Sequence, residues 1–300
     1  MFRFCPGQDK PLKHIRTMDL AMMAKDTDTV ESAGGTDLLF LSFCWHPSRA
    51  DTVAITTSSG HVHLVNLGSI GDSWTLQSEP VITHSLEAWC VAISPSIKVP
   101  NQDGSDLFTV FSGGDDSNLC YRTCTRTTTS EMASPNYIMG DAALAIRRKH
   151  EAGVTAILPL PMLESGLEPV VTGSYDDRIR LLSLGPASAS YNPGAIKVLA
   201  ESNLGGGVWR LKLAVIKDSP TNSNVWQATI LASCMHGGAR IVELSKTDAG
   251  DYQFRVVGSF VEHKSMNYGS DFQPGQTGEL QVVSTSFYDK LLCLWKFGAM

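Results

Sequence analysis

Apolar positions in this chain come in short bursts that alternate with polar ones, and long stripes at helical spacing are missing. Alternation with a period of two marks a half-buried strand, whereas a helix needs apolar residues recurring every three or four positions over roughly ten or more. Five segments share one layout: a short apolar strand near a His or an aromatic, a polar gap, an apolar strand ending in small residues, a tight acidic or glycine turn, and an alternating apolar strand. The first joins LSFCWHP to TVAITTSSGHVHLVNL, Leu41 to Leu67, and turns at Ser58-Ser59-Gly60. The second starts at His84, runs through EAWCVAISP and turns inside LFTVFSGGDDSNLCYR at Gly113, Gly114, Asp115 and Asp116. The third starts at His150 and joins GVTAILPLP to PVVTGSYDDRIRLLSL, where Ile179, Leu181 and Ser183 alternate imperfectly with Arg178, Arg180 and Leu182. GGGVWRLKLAV with ATILASCMHGGARIVEL makes the fourth, and HKSMNYGSDFQP with LQVVSTSFYDKLLCLWKF the fifth. Helical signals are thin: 15–29 and 142–148 lack the length and caps of a core helix.

A repeat of about 40–45 residues with several short strands is the mark of sheets arranged radially, because one small antiparallel sheet cannot bury both faces alone. The sequence therefore predicts an all-β, WD-repeat β-propeller of five clear blades over 41–300, with a degenerate N-terminal segment, 1–40, that reads as one weak or partial blade. Gly and Asp recur at the bends because tight turns need positive φ or a side chain that caps its own backbone. Leu294-Trp295 stands where such repeats carry their signature dipeptide, and Val65-Asn66, Tyr121-Arg122, Leu182-Ser183 and Val242-Glu243 replace it in the other blades. Ser/Thr-rich insertions at 122–136, 185–195 and 218–224 read as exposed loops. Five blades are fewer than the roughly seven of a common ring. A chain that starts within its ring would expose strand edges and apolar faces, and poor stability alone is then expected.

Composition narrows the function. At 43% hydrophobic and 18% charged, the 300 residues suit a globular chain with a sizeable core. A net charge of −6 and no basic run interleaved with aromatics argue against nucleic-acid binding. The seven cysteines are odd in number and scattered, without a C-x-x-C pair, so a structural metal is not expected; Cys120 and Cys124 read as two semi-buried thiols. The N-terminus has no apolar core of a signal peptide, and no run of about 18 apolar residues occurs. The expectation is a cytoplasmic monomer without cofactor and without membrane contact. G-x-S-x-G, H-E-x-x-H and P-loop signatures are absent, and Gly205-Gly206-Gly207 lacks the following Lys-Ser/Thr of a phosphate cradle.

The succession E-A-W (Glu87 to Trp89), S-G-G-D-D (Ser112 to Asp116), T-G-S-Y-D-D (Thr172 to Asp177), G-G-V-W-R-L-K (Gly206 to Lys212), C-M-H-G-G (Cys234 to Gly238), Y-G-S-D (Tyr268 to Asp271) and S-F-Y-D-K-L-L-C-L-W (Ser286 to Trp295) resembles the diphthine methyl ester hydrolase family of WD-repeat proteins over about 41–297. SGGDD and TGSYDD are common in WD-repeats, but GGVWRLK followed by CMHGG and SFYD is much less generic. The resemblance implies hydrolysis of the methyl ester of methylated diphthine on translation elongation factor 2, in diphthamide synthesis. N-terminal blades that the family would carry are not visible in this chain.

Ester hydrolysis needs a nucleophile or activated water, a general base and donors for an oxyanion. His236 interrupts a turn where neighbouring blades place Asp, and a His serves as base near neutral pH; its other reading is a turn cap or a packing partner of Trp209. Trp89, Trp209 and Tyr268 occupy equivalent positions at the starts of inner strands, either lining the mouth as a cation-binding cage or filling the blade core. Asp115, Asp116, Asp176, Asp177 and Asp289 read first as turn residues, with Asp116 and Asp176 as substrate-binding candidates and Asp289 as a catalytic one. Ser286 and Ser174 are candidate nucleophiles, and Tyr288 a candidate oxyanion donor. His84, His150 and His263 precede inner strands and read as structural partners of the turn Asp. The rival reading is a non-catalytic WD scaffold for protein partners, or an adaptor for ubiquitin ligases or trafficking complexes.

Overall fold

Each of the five repeats folds into its own antiparallel meander in the computed structural model, which describes 2–4, 12–14 and most of 38–299. Gaps in that description fall at 68–73, 78, 95–105, 128–135, 141, 162–167, 185–195, 219–225, 248–249 and 276–277. The first blade comprises Phe40–His46, Arg49–Thr57, His61–Leu67 and Trp74–Leu76, with Ile82–Thr83 as a second edge partner. The second comprises Ala88–Ile93, Asp106–Gly114, Leu119–Thr127 and Asn136–Met139, again with a short extra strand, Leu144–Ile146. Val154–Pro159, Glu168–Ser174, Arg178–Leu184 and Lys197–Asn203 make the third, and Arg210–Asp218, Trp226–Ser233, Ala239–Lys246 and Tyr252–Phe260 the fourth. The fifth shows three strands, Gly269–Pro274, Glu279–Ser286 and Leu291–Ala299. Among the described residues there is no helix, and 142–148 contributes a strand. The segment 15–29 lies outside the described residues; of 1–40, the described part is a two-strand hairpin of Phe2–Phe4 with Leu12–His14, and 38–40.

The first strand of every blade is the innermost one, and successive first strands lie side by side, so the sheets fan about a common axis as a β-propeller. Four apolar layers fill the gaps between the five blades. Strands in such a fan are buried on both faces, which is why their alternation is imperfect in the sequence. Ile179 and Leu181 pack toward the fourth blade while Leu182 and Leu184 pack toward the second. Between blades the backbones come too close for a side chain. A Cβ on Gly113 would sit 2.6 Å from Val154 Cγ1, and one on Gly173 would sit 2.9 Å from the Val208 carbonyl oxygen.

Turns between second and third strands need a left-handed residue, supplied by Gly60, Ser117, Asp177, Gly238 and Lys290. Side chains lock these turns to the strand starts. In the second blade His84 bonds through Nδ1 to Asp116 (3.0 Å) and through Nε2 to the Ser112 hydroxyl (3.0 Å), which donates to the Cys90 carbonyl. Burial alone would raise the Asp116 carboxyl, but the His84 hydrogen bond and charge, with the Asn118 and Ser85 amides, hold it well below the usual carboxylate range. In the fifth, His263 Nε2 and Trp295 Nε1 meet on the Ser284 hydroxyl (2.8 and 3.0 Å), while Asp289 accepts from the Lys264 amide. In the third, His150 bonds to Thr172 (2.8 Å), and Asp176 turns instead to the buried Arg180 and to the Glu151 amide. The third and fifth blades thus lack the direct His–Asp bond of the second: His150 and His263 each bond a hydroxyl through Nε2 alone.

The end faces of the fan are less covered. Phe40, Phe43 and Trp45 of the first blade and Phe287, Leu292 and Leu294 of the fifth are exposed, the last two at 72% each.

Two outcomes follow from this packing. Gly173→Ala forces a methyl against Val208 and is expected to cost about 1–3 kcal/mol in urea denaturation, while Gly298→Ala, with open space around it, leaves the midpoint nearly unchanged. Burial, then the Arg180 charge, pushes the His150 imidazole down to about 4, so the unfolded chain takes up its proton first as pH falls. That contribution is complete above about pH 6.5 and is lost as pH falls toward 4, amounting to about 2 kcal/mol at pH 5. Denaturation midpoints at pH 7 and pH 5 should therefore differ less in His150→Gln than in the parent chain.

Candidate functional site

A meander puts the start of its first strand and the turn between its second and third strands at the same end, so these pieces of every blade meet at one mouth of the central space. Trp89, Trp209 and Tyr268 start inner strands in the second, fourth and fifth blades. Trp89 sits at an irregularity of its strand pairing, between Ala88 and Cys90, and the third blade has Thr155 at the matching irregularity, between Val154 and Ala156. Thr155 is small and buried, with its hydroxyl donating to the Val208 carbonyl. The indoles of the second and fourth blades therefore reach each other past the third, with centroids 5.7 Å apart. Tyr268 packs edge-on against Trp209 at 5.2 Å.

Three further rings close the group. Tyr175, from the turn of the third blade, lies 5.6 Å from Trp209. Phe287, from the turn of the fifth, lies 5.9 Å from Tyr268 and 5.0 Å from Tyr288. Burial, then the neighbouring Tyr268 and Asp115, pushes the Tyr175 phenol up to about 12, and Tyr268 is raised by burial and by Tyr288. Both phenols stay neutral near pH 7. Asp115 adds the one carboxylate bonded to the rings: exposed at the turn, it accepts from Trp89 Nε1 at 3.2 Å. Half-buried aromatic faces with a carboxylate at their edge form an electron-rich surface suited to an organic cation, above all one too bulky and too poorly hydrated for an ordinary ion pair.

Glycines make room for this arrangement. A Cβ on Gly206 would meet the Gly237 amide nitrogen at 2.6 Å, and one on Gly207 would meet Met235 Sδ at 2.6 Å and Tyr175 Cδ1 at 3.4 Å. The GGG run and the CMHGG turn thus fit each other, and between them they set the path of the chain into Trp209. Met235 and Asn267 exchange backbone hydrogen bonds of 3.2 and 2.9 Å, which ties the His236 turn to the start of the Tyr268 strand. His236 itself is exposed and makes no hydrogen bond or ring contact among the described residues.

The remaining candidates lie elsewhere in these turns. Asp116, Asp176 and Asp289 serve the turn networks described above, and Ser286 is buried. Ser174 is buried too, its hydroxyl donating to the Ala152 carbonyl. Tyr288 is exposed at the rim. Tyr175, Phe287 and Arg210 were not singled out by the sequence. The first and Tyr288 share a signal with Asp115, since each immediately precedes the turn Asp of its blade.

Metal clusters of three or more His, Cys, Asp or Glu are absent among the described residues. The thiols of Cys90, Cys120, Cys124 and Cys234 are pushed up to about 12 by burial, which leaves them unreactive near neutral pH.

No family model matches the chain. It is 32% identical over 219 residues to a Saccharomyces cerevisiae protein named diphthine methyltransferase, covering 71% of this chain and 49% of that one. The protein of the same name in Schizosaccharomyces pombe is 31% identical over 265 residues, covering 86% and 64%. Its Homo sapiens namesake is 28% identical over 192 residues, covering 63% and 32%. The chain thus spans about half the length of the curated relatives it matches. Among solved structures, a chain in a crystal structure of the mitotic checkpoint complex aligns with a TM-score of 0.41 at 12% identity, covering 90% of this chain and 79% of that one.

The ring cluster makes a direct prediction about ligand charge. Choline should quench the tryptophan fluorescence of the chain, and its uncharged tert-butyl isostere should bind on the order of tenfold more weakly. Trp209→Ala, which removes the ring touching three of the others, should abolish the quenching by choline.

Proposed function

The chain belongs to the family represented by these diphthine methyltransferases, and we propose that its reaction is hydrolysis of the methyl ester of methylated diphthine on translation elongation factor 2. The observation that carries this reading is the cage of Trp89, Trp209 and Tyr268 with Asp115 at its edge. Methylated diphthine joins a quaternary trimethylammonium group to a methyl ester, and a cage that holds the first fixes the position of the second. Proximity of this kind lowers the barrier by replacing a chance encounter with a held geometry.

In the proposed reaction a water oxygen attacks the ester carbonyl carbon, the carbon–methoxy bond breaks, and methanol leaves with a proton. The carboxylic acid that remains ionises at neutral pH. His236 is the proposed base, because its imidazole is exposed at the same mouth with neither ring nitrogen engaged. Water is preferred over a serine nucleophile, since Ser286 and Ser174 are both buried. Asp116, Asp176 and Asp289 in the turns hold the frame in which this occurs.

A second reading has its own support. The exposed Phe287, Leu292 and Leu294 on the fifth blade suit a protein-docking surface, as a non-catalytic scaffold would use.

Methanol release from elongation factor 2 bearing methylated diphthine separates the possibilities. The expected result is stoichiometric methanol, with Trp209→Ala lowering kcat/KM at least about tenfold and His236→Ala lowering kcat on the order of a hundredfold. Methyl incorporation from a sulfonium donor, with no methanol, would overturn hydrolysis in favour of methyl transfer. Binding of the factor without either reaction would favour the scaffold.

A further inference from the structure

Among the described residues Arg210 is the cation that stands against the Trp209 ring, and the proposed reaction leaves it unused. It starts the innermost strand of the fourth blade directly after Trp209. Its guanidinium carbon lies 5.3 Å from the centre of the Trp209 ring, and Nη1 donates to the Trp209 carbonyl at 3.1 Å. The groups whose charge acts on it are Cys90, two blades away, and Tyr175, one blade away. The Tyr175 ring lies 5.6 Å from the same Trp209 ring, so the guanidinium and the phenol stand against one indole. Neither neighbour supplies a counter-ion, because burial keeps the Cys90 thiol and the Tyr175 phenol protonated. By contrast, Lys212, two residues along the same strand, pairs with Asp271. Among the described residues no carboxylate pairs with Arg210, and the Tyr175 hydroxyl has no hydrogen-bond partner.

An exposed guanidinium with no carboxylate beside it is free to receive an anion. We propose that Arg210 and Tyr175 form the donor pair for the acyl oxygen of the ligand, while Trp89, Trp209 and Tyr268 hold its cation. The inference rests on the ester-hydrolysis reading for its kinetic consequence. In that reaction the carbonyl oxygen gains negative charge as water adds to the carbon. The guanidinium N–H and the phenol O–H donate to it in the tetrahedral state and then to the carboxylate product. The two ends of the site thus read a zwitterion: π-faces and Asp115 for the ammonium, Arg210 and Tyr175 for the acyl oxygens.

Binding and turnover test this independently. The probes for binding are an N,N,N-trimethyl amino acid as its free carboxylate and as its methyl ester, titrated calorimetrically. The parent chain should prefer the carboxylate at least about fivefold. Arg210→Gln should remove that preference while keeping the ester affinity within about twofold, and Trp209→Ala should weaken both ligands. With methylated diphthine as substrate, Arg210→Gln should lower kcat on the order of a hundredfold with KM little changed. Arg210→Lys, which keeps the charge, should recover part of the loss, and Tyr175→Phe should lose about tenfold. Near-UV circular dichroism and the thermal midpoint of each variant show whether the fold is kept. Retention of both the carboxylate preference and kcat by a folded Arg210→Gln overturns the proposal. If the parent chain releases no methanol, the ester reading falls, and the binding pair still decides: loss of the preference in Arg210→Gln supports the anion-receiving role, whereas equal affinity of the parent for acid and ester refutes it.

Discussion

The constraint that sets the fan is backbone against backbone, where one blade meets the next at a residue with no side chain. Gly113 faces Val154 and Gly173 faces Val208 across distances that leave no room for a Cβ. Because these contacts lie near the axis, they set how tightly the innermost strands converge. Convergence in turn lets Trp89 of the second blade touch Trp209 of the fourth, past a Thr155 small enough to be covered. The cage is therefore a consequence of the same close approach that builds the fan.

A second division of labour runs through the turns. Histidines and carboxylates, the residues one would first suspect of chemistry, are mostly engaged in holding strand ends together: His84 with Asp116 and Ser112, His150 with Thr172, His263 with Ser284. Burial keeps His150 neutral, and the His84 bond keeps Asp116 ionised, so neither proton is free to move near neutral pH. The ring cluster is built instead from residues just before the turns and from the first residues of the inner strands. Those positions face the mouth because a meander has its strand start and its inner turn at the same end.

Radial packing also accounts for the surface. Interior sheets are covered on both sides, and four apolar layers serve five sheets. The first and fifth sheets each leave a face with exposed aromatic or aliphatic residues, among them Phe43 and Leu294. The same radial geometry thus brings strand starts together at the mouth and leaves apolar side chains exposed on the first and fifth sheets.

By itself the sequence determined the elements and their order. Turn chemistry such as SGGDD and SYDD, with short apolar runs at a steady spacing, needs only local physics to be read, and all five meanders and the dipeptide position in each third strand followed from it. It also placed Trp89, Trp209 and Tyr268 in equivalent positions of separate blades, because equivalence within a repeat is a one-dimensional property. Only the tertiary structure decided which equivalent residues touch. Trp89 meets Trp209 past the small Thr155, and Tyr175 of the third blade stands against the same indole. Neither follows from spacing along the chain. Likewise the candidates Asp116, Asp176 and Ser286 could be read as free groups until burial and hydrogen bonding showed what surrounds them. Distances between blades are set by packing across the fan, and a repeat pattern carries no information about them.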